Sequence, residues 1–462
     1  MESGAGQNVY DKFLNQGVAL HREGKFDEAI NIYNSLLGRK LNHHLVLYLL
    51  GDCFLRKGLA AISIQLFQGA LQTNPGMQEA WQDMGVALKQ EHYEAEALKA
   101  WEKALELGEK PEIYINLASL YSDHGDPEKG LLYSDKAIAL GHNGPESRWN
   151  RALALLSLHQ WEEAWKEHET RRKLESYHER TDIVVPDWDG SHDKVVCVTG
   201  EQGVGDEIMF ASCLNDLIAV SKHVVVECEK RLVPVFERAF GMPAYLSQAE
   251  IVEKNELPLD FKVPLGSLPM FFRNRDEDFS AVPYLVPDQA KVEEYRSKLE
   301  ALGPGPYIGL SWTGGTKPTR IHERSMPPTK LERFRQLGTC VSLQYGEFAQ
   351  ADADRIGIHH FPGISDGTDM DNLIALIEAL DVVVTVATTV VHAAGSIGKK
   401  THVLVPELPS WRYNYDDGKY LPWYRDSKIH RQGHMERWES VIDRAYKEIE
   451  NEYAERRIAA AG

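Results

Sequence analysis

The sequence predicts a protein of α-helical repeats followed by an α/β region in two halves. Small residues recur about every 34 positions through roughly the first 175 residues, which indicates a repeat array. From about residue 193, short β-branched runs alternate with helical patterns, the order typical of parallel sheets covered by helices. A Gly- and Pro-rich stretch at residues 300–306, after which a strand pattern begins again, divides this region into its halves.

The evidence for the repeat is that small and large residues recur at equivalent positions, with the same spacing, in successive units. Antiparallel helices approach closely only where side chains are small, and a large residue then fills the gap between successive units. The pattern resembles the tetratricopeptide repeat and predicts about five units over residues 8–175; a generic helical bundle is the alternative. Such arrays hold peptides or partner helices, or serve only as dimerisation or spacer elements. The recurring small residues are Gly17, Gly51, Gly85, Ala118 and Ala152, and the recurring large residues begin with Tyr33, Phe67 and Trp101.

Composition excludes several classes of function. The chain has 462 residues and a formal net charge of −18, which disfavours binding to nucleic acid or to an anionic membrane surface. Its five scattered cysteines form no C-x-x-C pair, so we expect neither a disulfide framework nor a structural zinc site. Because no apolar run could span a membrane and the N-terminus shows no secretion signal, we expect a cytoplasmic protein without membrane insertion. The composition does not decide whether the protein forms a homo-oligomer.

A glycine-rich turn follows the first predicted strand, at residues 195–199. Residues 200–206 read G-x-x-G-x-G-D, which is neither a dinucleotide fingerprint nor a Walker A loop and counts against an oxidoreductase. Gly203 and Gly205 would let a substrate approach the backbone, and the following helix start favours negative charge. From its local residues alone, Asp206 is first of all an N-cap.

The second half contains two polar segments after predicted strands. Thr388 and Thr389 stand at a helix start and could seat a diphosphate, although a simple threonine cap is the alternative. A loop at residues 311–325 carries three cations in an otherwise acidic chain, which suggests an anionic ligand. We predict that at least one of its arginines, Arg320 or Arg324, lies within about 12 Å of the Thr388 helix start.

Short phrases in a fixed order extend over most of residues 160–438. The phrases lie at residues 161–165 with 171–172, 186–190, 200–208, 263–269, 283–285, 324–325, 342–346, 369–398, 411–413, 422–424 and 431–432. Their combination resembles bacterial proteins in which tetratricopeptide repeats precede a glycosyltransferase domain related to the lipopolysaccharide heptosyltransferases.

The resemblance implies a B-type glycosyltransferase fold, in which two Rossmann-like halves face each other across a cleft. It implies no metal or other cofactor beyond the nucleotide-sugar substrate. The expected organisation is a linker at residues 176–192, an acceptor-side half at 193–303, a nucleotide-sugar-side half at 304–432, and a C-terminal helix at 433–462 that crosses back to the first half.

The resemblance also implies site residues. Asp206 corresponds to the aspartate taken as the catalytic base, and Thr388 and His392 match a D-T-x-x-x-H motif. Ala387 stands where that motif has its aspartate, which puts a heptose donor in doubt and leaves open a catalytically silent member. The implied donor-binding residues are Gly203, Gly205, Ser311, Thr316, Lys317, Arg320, Arg324, Gln344, Thr388, Thr389 and His392.

The function expected from this reading is inverting transfer of a hexose or heptose from a nucleotide-sugar. The acceptor would be a protein or peptide held in the repeat groove. The alternative is a non-catalytic repeat scaffold whose glycosyltransferase-like domain only binds a nucleotide.

Overall fold

A computed structural model describes most of the chain and divides it into two compact units, Met1–Ala154 and Leu155–Gly462. Only the backbone is described at residues 2–8, 420 and 456–461. Within the described part, no helix is both long and apolar enough to cross a lipid bilayer. The described residues are 2–38, 43–175, 177, 181–201, 203–245, 250–251, 253, 258–315, 321–364, 367–414 and 420–461.

The first unit consists of helices that pack in successive pairs, α1 on α2, α3 on α4, α5 on α6 and α7 on α8. The last helix, α9, continues into the second unit. The helices are α1 Glu2–Arg22, α2 Phe26–Leu37, α3 His44–Arg56, α4 Ala60–Thr73, α5 Gln78–Gln90, α6 Glu94–Leu107, α7 Pro111–Asp123, α8 Pro127–Ala139 and α9 Pro145–Ser157.

The recurring small and large residues of the repeat contact each other inside each of the first three helix pairs. The three aromatic side chains are fully buried, and each ring lies directly over the glycine of its own pair. Phe67 and Trp101 also belong to one continuous core that includes residues of the following pairs. A Cβ added to Gly17 would lie 2.6 Å from the Tyr33 ring. The corresponding distances are 2.7 Å from Gly51 to Phe67 and 2.4 Å from Gly85 to Trp101.

The second unit begins with a four-stranded parallel sheet in the order β3-β2-β1-β4. All five residues of β1 are buried, as expected for the central β-branched run. The strands are β1 Val195–Thr199, β2 His223–Glu227, β3 Ala244–Tyr245 and β4 Phe261–Pro264. The helices of this region are α10 Trp161–His168, α11 Val204–Phe210, α12 Leu214–Val220, α13 Val233–Phe240, α14 Pro269–Phe272 and α15 Gln289–Leu302.

The second sheet has six strands in the order β6-β5-β7-β8-β10-β9 and is parallel except for the edge strand β9. Its strands are β5 Tyr307–Ser311, β6 Thr339–Ser342, β7 Val382–Val386, β8 Thr401–Val405, β9 Tyr420–Leu421 and β10 Tyr424–Arg431. Its helices are α16 Ile321–Arg324, α17 Ala349–Ile356, α18 Met370–Ala379, α19 Thr389–Ser396 and α20 Trp438–Ala461.

The second helix of the fifth predicted repeat, α10, is built into the second unit. Trp161 Nε1 donates to Asp276 Oδ1 at 2.8 Å, and Trp165 Nε1 donates to the carbonyl of Arg273 at 2.7 Å. The repeat was expected to run to residue 175, whereas the compact first unit ends at Ala154. Two tryptophans that find hydrogen-bond partners on the α/β region draw this helix into it.

Part of the segment expected as a linker packs along the first sheet. The backbone N–H of Trp188 donates to the Lys262 carbonyl at 2.8 Å, and the backbone N–H of Lys262 donates to the Pro186 carbonyl at 2.9 Å. The Trp188 ring is buried, with its centroid 4.5 Å from that of Phe271. These residues therefore extend the sheet edge beside β4 instead of spanning open space.

Two helices pack elsewhere than the resemblance suggests. α15, which we counted with the first half, packs on α18 beside the second sheet, where Lys291 Nζ lies 2.9 Å from Asp371 Oδ2. α20, which we expected to cross back, packs its described apolar face, including Val441, Ala445 and Ile449, into the core of the second sheet. Burial of that apolar stripe against β8 and β10 decides its position.

Candidate functional site

A cavity of about 540 Å³ lies where the carboxyl ends of strands from both sheets converge. In each sheet the strand order reverses beside the first strand, since β1 lies between β2 and β4 and β5 lies between β6 and β7. Open parallel sheets bind ligands at such switch points, outside the carboxyl ends of the strands. The lining residues follow β1 (Gly203, Val204, Gly205, Asp206), β5 (Gly315, Glu323, Arg324), β6 (Tyr345), β7 (Ala387, Thr388, Thr389, His392) and β8 (Pro406, Leu408, Pro409, Ser410, Arg412, Tyr413).

Asp206 faces the cavity from the third position of α11. The N-cap of this helix is Gly203, so the interpretation of Asp206 as a cap is wrong. Its Oδ1 instead accepts a hydrogen bond from Arg412 Nε at 2.7 Å. The ion pair is partly open to solvent, since 24% of the aspartate side chain and 20% of the arginine side chain are exposed. Arg412 therefore orients the carboxylate through its Oδ1 oxygen.

Gly205 allows the two halves to approach each other. A Cβ at this position would lie 3.0 Å from His392 Cδ2 and 3.4 Å from Thr389 Oγ1. The start of α11 thus packs directly against the first turn of α19. The sequence predicted close approach at this glycine, and the neighbour in the structure is the facing helix.

The opposite wall is formed by the start of α19 and the polar loop after β5. Thr388 is the N-cap of α19 but makes no side-chain capping bond, and its Oγ1 lies 3.4 Å from the hydroxyl of Tyr345. Arg324 Nη2 donates to the Ala387 carbonyl at 2.5 Å, so the predicted proximity of an arginine to this helix start is confirmed. Thr316, Lys317 and Arg320 lie outside the described residues.

The loops after β5 and β7 touch at Gly314. A Cβ on Gly314 would lie 2.5 Å from the Ala387 carbonyl oxygen and 3.1 Å from Thr388 Cβ. Such a distance is shorter than any relaxed carbon–oxygen contact. A side chain at position 314 would therefore force the loop after β5 away from the start of α19.

His392 lies in the cavity wall but is almost completely buried. Its Nδ1 lies 3.0 Å from the Tyr424 hydroxyl and its Nε2 lies 2.9 Å from the Tyr413 hydroxyl. Burial lowers the pKa of His392 to about 4, so the ring is neutral near pH 7. Both ring nitrogens contact tyrosine hydroxyls, so His392 positions Tyr413, and its expected contact with a donor stays a prediction.

Ser311 and Gln344 support the polar loop and do not line the cavity. Gln344 Oε1 accepts from Ser311 Oγ at 3.1 Å and from the backbone N–H groups of Trp312 and Thr313 at 3.0 and 2.9 Å. Both side chains are buried. They hold the residues that follow β5 in place, and their expected contact with a donor stays a prediction.

A buried ion pair supports the glycine-rich turn from behind. Arg171 lies 3.1 and 2.6 Å from the two carboxylate oxygens of Glu201, and its Nη2 also donates to Ser267 Oγ at 2.9 Å. Glu201 Oε1 accepts the backbone N–H of Gly266 at 2.7 Å. The pair ties the turn after β1 to the loop after β4, on the two sides of the first switch point.

The prediction of site residues missed Arg412, Tyr413 and Tyr345. The signal that could have found them is their place in loops directly after β8 and β6, since loops at the carboxyl ends of parallel strands converge. Together with Arg324, Arg412 brings positive charge to a cavity that Asp206 and Glu323 also line. The arrangement can hold an anionic group near α19 while presenting a carboxylate from the opposite wall.

Comparison with known proteins supports the repeat in the first unit. A tetratricopeptide-repeat family profile matches residues 14–77. Protein FlbA of Caulobacter vibrioides is 24% identical over an alignment 493 positions long, gaps included, which covers 92% of this chain and 82% of FlbA. The coverage exceeds either unit alone, so the similarity extends over both.

Two solved structures with similarity to this chain each match about a third of it. The pilF protein of Pseudomonas aeruginosa is 15% identical, with a TM-score of 0.33, over 36% of this chain and 75% of its own. A tetratricopeptide-repeat protein of Thermus thermophilus is 20% identical, with a TM-score of 0.31, over 36% of this chain and 90% of its own.

Proposed function

We propose that the second unit is an inverting glycosyltransferase of B-type fold that takes a nucleotide-sugar as donor. The observation that carries the proposal is the single cavity at the switch points of two parallel sheets, with a carboxylate on one wall and an arginine beside a helix start on the other. Its volume of about 540 Å³ is within the usual range for small-molecule sites. The 2.5 Å contact of Arg324 with Ala387 supports placing the donor diphosphate at α19.

The chemistry follows from the positions of these groups. Asp206, oriented by Arg412, would accept the proton of an acceptor hydroxyl as that hydroxyl attacks the anomeric carbon. The bond to the nucleoside diphosphate breaks on the opposite face, so the anomeric configuration inverts. Arg324 and the N–H groups that begin α19 would stabilise the negative charge that develops on the leaving diphosphate. This assignment requires no metal in the cleft.

The acceptor is proposed to be a protein or peptide that the repeats hold. Tetratricopeptide repeats generally bind peptides and proteins, and the repeat is supported by the family match at residues 14–77. Transfer to a tethered protein would gain from the high effective concentration that linkage gives.

The test separates donor binding from turnover. Calorimetric titration with UDP, GDP, ADP and dTDP should reveal a bound nucleotide, and Arg324→Gln should weaken that binding by roughly 1.5–3 kcal/mol, the scale of a charge-assisted hydrogen bond. Arg425→Gln, at an exposed arginine outside the cavity lining, is the matched control. Equal affinities of the two variants would exclude this donor site.

Turnover is measured as nucleoside diphosphate released from a panel of nucleotide-sugars in the presence of cell extract as acceptor source. Asp206→Asn should reduce it by about 100-fold or more, the contribution of a general base. Asp182→Asn, an exposed aspartate that does not line the cavity, is its control. Wild-type turnover in Asp206→Asn would refute the assigned base.

A second function is favoured by Ala387. This residue lines the cavity and has no carboxylate, whereas the heptosyltransferase motif carries an aspartate at this position. A repeat scaffold with a nucleotide-binding but catalytically silent domain is therefore the alternative proposal. Nucleotide binding without turnover of any donor in the panel would establish it over the first.

A further inference from the structure

A cluster of three potential metal ligands lies between the second sheet and α20. His402 Nδ1 and His430 Nε2 are 2.8 Å apart, and Glu448 Oε2 lies 3.9 Å from each of them. The histidines stand on the neighbouring strands β8 and β10, and the glutamate stands on the helix that covers them. The sequence predicted no metal site because these residues are widely separated and form no ligand motif.

The sheet register brings the imidazoles together. β8 and β10 are parallel, with His402 opposite Lys428 and Leu404 opposite His430. Because residues two apart on a strand share a face, both histidines point to the side on which Leu404 packs with α20. Both histidines are buried, and Nε2 of His402 is a buried nitrogen without a hydrogen-bond partner among the described residues.

The distances are close to those of a coordinated ion. Zinc binds imidazole nitrogen at about 2.0–2.1 Å, so two tetrahedral ligands stand roughly 3.3–3.4 Å apart. His402 and His430, now 2.8 Å apart, would separate by about half an ångström, and the carboxylate, at 3.9 Å, would approach by a similar amount. Such shifts are within side-chain rotation. The ion would replace the proton that the two rings now share.

The surroundings favour a cation. The cluster adjoins a cavity of about 550 Å³ that shares no described lining residue with the cleft. Four carboxylates line this cavity, from Asp426, Glu448, Glu452 and Glu455, against the two lysines Lys400 and Lys428. Lys428 Nζ contacts Glu448 Oε1 at 2.9 Å, so Oε2 is the oxygen that faces the imidazoles. A water from the cavity could complete a tetrahedral set.

We propose that His402, His430 and Glu448 form a binding site for a transition-metal dication, with zinc as the probe, remote from the cleft. Two nitrogen ligands and one carboxylate are a donor set that suits zinc. Because the ligands come from two strands and α20, a bound ion joins the last helix to the sheet and stabilises the second unit.

The experiment uses the full chain, stripped with EDTA and exchanged into chelator-free buffer. Titration with ZnCl₂ against a competing chromophoric chelator should show one equivalent of binding, accompanied by a higher unfolding temperature of the second unit. Glu448→Gln should weaken zinc binding at least about tenfold, and His430→Gln should weaken it further.

The matched control is Glu455→Gln, which removes the same charge from the same helix and the same cavity. It should change the zinc affinity by no more than about twofold, because its carboxylate is not among the three ligands. The proposal is overturned if no saturable equivalent is bound, or if Glu448→Gln and Glu455→Gln bind zinc equally. Glu448 is partly exposed, so its variant keeps the test valid even if His430→Gln does not fold.

Discussion

The contact between Gly85 and Trp101 predicts that Gly85→Ala destabilises the repeat unit. A Cβ at Gly85 would lie 2.4 Å from Trp101 Nε1 and 2.7 Å from two of its carbons, where relaxed contacts are about 3.5–4.0 Å. The ring must therefore move by about 1 Å, although it is fully buried and its Nε1 donates to the Gln82 carbonyl at 3.0 Å. Overpacking of this kind costs about 1–3 kcal/mol and a lost hydrogen bond about 1 kcal/mol.

Alanine also gains about 1 kcal/mol over glycine within a helix, so the net loss is about 1–3 kcal/mol. Gly69→Ala is the matched control, since Gly69 lies inside α4 and its nearest neighbour would be Leu47 Cδ1 at 3.4 Å. This substitution should stabilise by about 0.5–1 kcal/mol.

Urea unfolding of the full chain, followed by far-UV circular dichroism, measures both variants. A fit that allows separate transitions for the two units is required. A stability of Gly85→Ala equal to or above that of the wild type would refute the packing argument. Because neighbouring substitutions couple, a double-mutant cycle of Gly85→Ala with Trp101→Leu should yield a coupling free energy of about 1 kcal/mol.

Two further predictions concern the cleft. Gly314→Ala places a Cβ within 2.5 Å of the Ala387 carbonyl oxygen. The affinity for a nucleoside diphosphate should therefore fall at least about tenfold, or 1.4 kcal/mol. An unchanged affinity in calorimetry would show that the two loops separate freely. The pKa of His392, lowered by burial to about 4, lies below that of an unfolded imidazole near 6.5, so the unfolded state binds the proton more tightly. The contribution of this pKa difference to the free energy of unfolding is fully present above about pH 6.5, and about 3 kcal/mol of it is lost as the pH falls toward 4. His392→Gln should therefore flatten the pH dependence of Tm over this range, and parallel curves for the two proteins would contradict the assignment.

Local pattern determined the elements of this protein. The 34-residue spacing of small residues predicted the repeat helices because helix packing depends on side-chain size at fixed intervals. β-branched runs such as Val382–Val386 predicted buried strands because a parallel strand covered on both faces is rich in β-branched residues over its whole length. Arg320 or Arg324 was predicted beside the Thr388 helix start because a local cluster of cations in an acidic chain favours an anionic ligand, and Arg324 lies there.

Tertiary structure decided which of these elements meet. Asp206 and Arg412, 206 residues apart, form an ion pair only because loops from two sheets converge on one cavity. Trp161 and Trp165 lie on a helix whose spacing continues the repeat, yet their partners are Asp276 and the Arg273 carbonyl. Helix periodicity arises from backbone geometry within a few residues, and it carries no information about which distant surface will bury an apolar face. For the same reason, the placement of Glu448 over two buried histidines could be read only from the folded chain.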